Sequence, residues 1–328
     1  MRRWFAIVLG LGAAAAAAWW IASEAPPEDR SIVRVAASAS GRWLASGSAS
    51  GEVAVLEREG GQAAMARARI DGRVLNHLQF SPSGDLLGIA ARDLWIWRFG
   101  RREAPLRLRA GGRNYGMVEF DPEGATVLTV VGEGRIERID LASGRTLWEA
   151  CCTSIYGDVR FSPDGRTVVN AGHRPGLWDA ATGERLESFE PHRSAPAYGP
   201  VAFDTAHGVV CLGSQDGCVL CRDLATRKRA EEPPRQPGWI EGIAFSRDGS
   251  SAALLVRGVG VRLWERGAGA MWAVEGAPTS DLASTPDGFA FAVSGRSGEN
   301  CRTFHWCRVL KGIGGRDYPT CDAHRFCF

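Results

Sequence analysis

The chain has 328 residues, with 39 Lys and Arg against 37 Asp and Glu, so its formal charge is +2. A near-neutral chain lacks the single-sign field of a phosphate-tracking surface, which excludes bulk attraction to nucleic acid. Its 45% hydrophobic content is that of a large globular protein, and its 41 glycines favour a fold with many turns.

The N-terminus stands apart from the rest. Arg2 and Arg3 precede an unbroken apolar or Gly/Ala run over residues 4–22. As a helix this run would be about 28 Å long, enough to cross the hydrocarbon layer of a bilayer. Residues 1–23 are therefore expected to be a signal anchor or signal peptide. An uncleaved anchor is favoured, because Pro26 would follow a cut after Ala25 and block it, and Trp19 and Trp20 suit the far interface. Secretion after signal cleavage is the alternative. The linker 24–30 carries Glu24, Glu28 and Asp29 against Arg30, so Arg2 and Arg3 should stay inside and the following domain should face the periplasm or the cell exterior.

From there a phrase returns about every forty residues. It reads Phe80-Ser81-Pro82-Ser83-Gly84, Phe120-Asp121-Pro122-Glu123-Gly124, Phe161-Ser162-Pro163-Asp164-Gly165 and Phe245-Ser246-Arg247-Asp248-Gly249, with looser copies closing at Gly41, Gly208 and Gly288. In the fullest copies an apolar strand ends in Phe, Pro presets φ, Asp or Ser bonds the backbone ahead, and Gly takes a positive φ. A returning apolar strand, a second turn, a third strand and an amphipathic fourth strand follow. Four short strands of this kind make one propeller blade, with the Phe as a plug between neighbours.

The third strands end in Leu177-Trp178-Asp179, Leu263-Trp264-Glu265, Arg138-Ile139-Asp140 and related triplets. With the phrase and the period, these endings resemble the WD-repeat β-propeller family over roughly residues 31–308. The resemblance implies an all-β, seven-bladed propeller of four-stranded antiparallel blades, followed by a Cys-containing tail over residues 309–328. The chain departs from the family in lacking the Gly-His dipeptide that opens a repeat, and Trp178-Asp179 alone is a strict WD pair. The weakest blade is expected to be the last, with the tail a candidate to close the ring.

Nine cysteines in an extracytoplasmic domain invite a disulfide reading. Cys211, Cys218 and Cys221 fall on a hairpin turned at Ser214-Gln215-Asp216-Gly217. Pairing Gly213 with Cys218 would leave none of the three opposite another. In the tail, Cys301, Cys307, Cys321 and Cys327 crowd with His305 and His324 and are candidates for a metal or disulfide clip.

No Gly-x-Ser-x-Gly elbow, His-Glu-x-x-His, phosphate loop or dinucleotide fingerprint is present, so no catalytic, cofactor or metal residues are assigned. Tyr115, Tyr156 and Tyr198 each stand five residues before their blade's Phe, in three consecutive repeats. The family's topology implies that this entry to the innermost strand lies on a partner-binding face. Packing between blades would explain the same pattern. As a binding arc, the tyrosines would be extended by Trp239, with His173 and Arg174 supplying polar contacts. The expectation is a non-enzymatic, membrane-anchored scaffold for a protein partner. The alternative is a propeller enzyme or quinoprotein-like cofactor domain with its site at the channel mouth.

Overall fold

The computed structural model describes residues 32–327 except 58–64, 72–74, 102, 133, 152–156, 173, 190–197, 270, 274–278, 286–287, 294–300 and 312–316. For Ile32, for Tyr198 and from residue 272 onward it describes the backbone alone. The expected anchor and linker lie outside these residues. Among the described residues no helix is long and apolar enough to cross a membrane.

The described residues form antiparallel strands arranged as a β-propeller. The first sheet is β1 Ile32–Ala37, β2 Trp43–Ser48, β3 Glu52–Glu57 and β4 Ala66–Arg69. The second is β5 His77–Phe80, β6 Leu87–Ala90, β7 Leu94–Trp97 and β8 Leu106–Arg109. Next come β9 Tyr115–Phe120, β10 Thr126–Val131, β11 Arg135–Asp140 and β12 Thr146–Ala150. They are followed by β13 Val159–Phe161, β14 Thr167–Asn170, β15 Gly176–Asp179 and β16 Arg185–Ser188. A sheet of β17 Tyr198–Asp204, β18 Val209–Ser214 and β19 Val219–Asp223 precedes β20 Ile240–Phe245, β21 Ser251–Val256, β22 Gly260–Glu265 and β23 Met271–Ala273. The last sheet is β24 Thr279–Thr285, β25 Gly288–Val293, β26 Cys301–Lys311 and β27 Asp317–Cys327. The first strand of each sheet lies beside that of the next around the axis, and β24 returns to β1.

The expectation of seven four-stranded blades is corrected. Among the described residues six sheets have four strands, and the sheet of β17, β18 and β19 stops at three. Its fourth strand begins, with a single bridge between Arg222 and Arg229 and a bond from Ala230 N–H to Cys221 O at 3.1 Å. Pro233 and Pro234 then remove two ladder donors in succession. The Cys221 N–H is met by the Glu232 carboxylate at 3.2 Å in place of a backbone carbonyl.

The repeated phrase folds as its chemistry requires. The N–H groups of Gly84, Gly124, Gly165 and Gly249 return to the carbonyls of Ser81, Asp121, Ser162 and Ser246 at 2.8–2.9 Å. These glycines sit at φ of 67–76°, a region that a Cβ disfavours. The preceding Phe80, Phe120, Phe161 and Phe245 are buried between sheets. Polar bonds also cross from sheet to sheet. Arg138 donates to Ala180 O at 2.7 Å and pairs with Asp121 at 3.3 Å. Arg266 meets the wholly buried Asp204 carboxylate at 2.5 Å, and His207 shares that carboxylate at 2.8 Å. Within the fourth sheet the Trp178 indole donates to Asn170 Oδ1 at 2.7 Å, and Asn170 Nδ2 donates to Ala171 O and Arg174 O.

A second correction concerns the cysteines. Ser214 N–H donates to Cys218 O at 2.9 Å, and Gly217 at φ +84° closes the turn, so Gly213 pairs with Val219 and the register differs by one residue from the expected one. That shift sets Cys211 opposite Cys221, where they form a disulfide. Ladder bonds at Ser214 with Cys218 and at Gly208 with Leu224 place the cysteines at a non-hydrogen-bonded pair, where Cα atoms approach most closely. Their Cα separation is 4.1 Å. Residues expected to form a tail supply the last three residues of β26 and all of β27, and by backbone register Cys301 pairs with Cys327 and Cys307 with Cys321.

Two outcomes follow. Asn170→Leu should lower stability by about 1–3 kcal/mol in chemical denaturation, since it strands the Trp178 N–H inside the sheet. The pair Cys211→Ser with Cys221→Ser should cost about 2–4 kcal/mol, and the unreduced wild-type chain should show the Cys211–Cys221 linkage in a non-reducing peptide map.

Candidate functional site

The innermost strand of each sheet borders the channel, so one row of its backbone groups has no neighbouring strand. Side chains from the preceding sheet meet that row. Val118 N–H points to His77 Nδ1 at 3.5 Å, and Phe120 N–H donates to Gln79 Oε1 at 2.7 Å. One sheet on, Val159 N–H approaches Met117 Sδ at 3.0 Å; the next, Val201 N–H faces Asp158 Oδ2 at 3.4 Å. Asn76 Nδ2 donates to Tyr115 O at 2.8 Å.

These capping groups converge into a charged cluster. Arg160 on β13 donates to Glu119 on β9 at 2.6 Å and pairs with Asp158 at 3.3 Å, and its Nη2 lies 3.4 Å from His77 Nε2. Gln79 also donates to Glu119. On the other side of His77, Arg34 donates to the carbonyls of Asn76 and, at 2.6 Å, of Val33. Burial and the Arg160 cation lower the His77 pKa to about 4, against an opposing pull from Asp158. Burial raises Glu119 more than Arg160 lowers it. Burial alone would lower Arg160, but the Asp158 and Glu119 carboxylates reverse this and raise it above its ordinary value. A neutral imidazole has a single acceptor nitrogen, yet His77 faces two donors, Val118 N–H and the Arg160 guanidinium.

The sequence-derived residues are distributed differently from the expected arc. Tyr115 is 1% exposed and packs with Leu94, Val118, Val131 and Ile139, so its ring offers a partner no surface. Burial, then Glu137, raises its phenol pKa. Tyr156 and His173 lie outside the described residues, and for Tyr198 the backbone alone is described, opposite Ser214 on β18. Trp239 is 42% exposed just before β20, under the Arg257 guanidinium at 4.0 Å, and Arg257 also pairs with Glu241 at 2.5 Å. Arg174 is exposed in the turn between β14 and β15. Trp239 and Arg174 thus share the face at which the innermost strands begin, although they sit on different sheets. Sequence reasoning missed His77, Gln79, Glu119, Asp158 and Arg160. Their signal was present as polar residues two apart inside apolar strands, at 77 and 79 and at 158 and 160.

A groove of about 550 Å³ lies elsewhere, between the outer edges of the first two sheets, lined by Arg67, Trp97 and Phe99 among others. Comparison with known proteins finds no matching family model and no matching curated protein.

The shift at His77 fixes a pH dependence. The folded-state value lies below the unfolded one, so the unfolded chain binds the proton more readily. The contribution of His77 to stability is therefore complete above about pH 6.5 and is lost as pH falls toward about 4. Because His77 is only half-buried from solvent, the loss should be about 1–2 kcal/mol. Glu119 titrates with the opposite sign. The comparison that isolates His77 is therefore wild type against His77→Gln by thermal denaturation at pH 5 and pH 8, where the variant should show the smaller acid destabilisation.

Proposed function

We propose that the chain is a divergent WD-repeat-type propeller that acts as a non-catalytic scaffold for a protein partner, held at a membrane by residues 4–22 with the propeller outside the cytoplasm. The observation that carries this reading is the exposed Trp239, fixed by Arg257 on the face where the innermost strands begin. A large rigid aromatic braced by a guanidinium is the kind of group that dominates protein interfaces.

The channel supports the non-catalytic part of the reading. His77, Gln79, Asp158 and Glu119 direct their acceptors to inner-edge N–H groups or to Arg160 and Gln79, which is structural work. The compartment is supported by the Cys211–Cys221 disulfide, which suits an oxidising environment. The apolar run with Arg2 and Arg3 before it supports the anchor and its orientation.

A photo-crosslinking residue in place of Trp239, in the full chain expressed in membranes, tests the proposal. It should capture a discrete partner, whereas the same residue at Arg247, on the opposite face, should capture none. Equal products from both positions, or none from position 239, would refute the scaffold assignment.

A further inference from the structure

We propose that β26 and β27 are joined by two disulfides, Cys301–Cys327 and Cys307–Cys321, which brace the sheet that closes the ring. This rests on the extracytoplasmic placement in the scaffold reading and on nothing about its partner.

The two strands keep an unbroken register from Cys301 opposite Cys327 to Lys311 opposite Asp317, and within it Cys307 stands opposite Cys321. Residues directly opposite on antiparallel strands share a face, with Cα atoms about 4.5–5.5 Å apart, which is within the span of a disulfide. The two pairs lie six residues apart on each strand. Because successive strand residues alternate between faces, all four cysteines fall on one face. The Cys211–Cys221 disulfide already joins two residues in this relation, directly opposite on β18 and β19.

Four cysteines allow three pairings, and the register excludes two of them. Pairing Cys301 with Cys307, or Cys301 with Cys321, would mean reaching along six residues of strand, about 20 Å, against a bridgeable Cα separation of about 7 Å at most. The same distance keeps one metal ion from collecting all four thiolates. His305 shares their face, opposite Ala323, while His324 stands opposite Phe304 on the other face. A zinc site built on Cys307, Cys321 and His305 would stop at three ligands, short of the four of a structural site, and would leave Cys301 and Cys327 unused. A disulfide at each rung uses all four cysteines.

The two rungs bracket the supported part of the hairpin. Among the described residues β25 pairs with Thr303 to Cys307 of β26, so Cys307 occupies the last rung backed by a third strand and Cys301 lies just past the other end. From Arg308 opposite Thr320 to Lys311 opposite Asp317 the hairpin is a two-stranded ribbon, which is marginally stable by itself. The sheet it belongs to closes the ring, with β24 beside both β20 and β1. Each bond forms by thiol–disulfide exchange with an external disulfide of the compartment, small-molecule or protein. The two cysteines give up two protons and two electrons, which convert the external disulfide to two thiols.

The test is thiol trapping on the full chain expressed in bacterial membranes. The protein is denatured in N-ethylmaleimide without reductant and digested with trypsin, which cuts after Arg302, Arg308, Arg316 and Arg325 and so puts the four cysteines on four peptides. Mass spectrometry should find 297–302 joined to 326–328 and 303–308 joined to 317–325, each link parting on reduction. Cys301→Ser should leave the maleimide on Cys327 and keep the second link, and Cys307→Ser should leave it on Cys321 and keep the first. The double variant Cys307→Ser, Cys321→Ser should lower the melting temperature in detergent by about 5 °C or more, and an unchanged value would refute the bracing role. Maleimide on all four cysteines, a different pairing, or a bound metal ion with Cys307 and Cys321 unlinked would overturn the proposal. If Cys211 and Cys221 are linked in that sample, only the hairpin assignment is lost; if they too carry maleimide, the extracytoplasmic placement is lost with it.

Discussion

A strand that borders a central channel has a ladder partner on one side only, and its other row of N–H groups still needs acceptors. In this propeller the preceding sheet supplies them. His77, Gln79, Met117 and Asp158 each reach forward to a backbone N–H of the next innermost strand. The spacing of these contacts, 41 to 43 residues, is the repeat length itself. β9, β13 and β17 therefore complete their hydrogen bonding through the preceding sheet, and the charged cluster around Arg160 is a by-product of that requirement.

The propeller was legible in the sequence because its turn chemistry is local. Gly84, Gly124, Gly165 and Gly249 needed no tertiary information to be placed, and the Phe before each phrase follows from strand alternation. What escaped were features decided by one residue or by distance. A turn closing at Ser214 and Cys218 rather than one residue inward flipped the relation of Cys211 to Cys221 from offset to opposite, because strand side chains have a period of two. Pro233 and Pro234 were visible, yet the pattern of six other repeats argued for a fourth strand that these prolines prevent. The tyrosines showed the limit of repeat logic: equal spacing fixes equal position in a blade but not exposure, and Tyr115 is packed inside.

The disulfide and the shortened sheet occur together. A four-stranded blade shields its third strand with a fourth, but β19 has the segment from Lys228 to Gln236, tied by Glu232 to Cys221 N–H and by Gln236 N–H to Gly217 O at 2.8 Å. The Cys211–Cys221 bond fastens β19 to β18 at the middle of that sheet, which compensates for the missing ladder.

The place where the chain enters the ring also matters. Ile32 pairs with Ser48 beside the turn between β2 and β3, so β1 begins at the end where second strands turn to third. Glu24, Glu28 and Asp29 are among the residues just before it. β1 therefore starts at the end of the ring that holds the exposed Trp239–Arg257 stack.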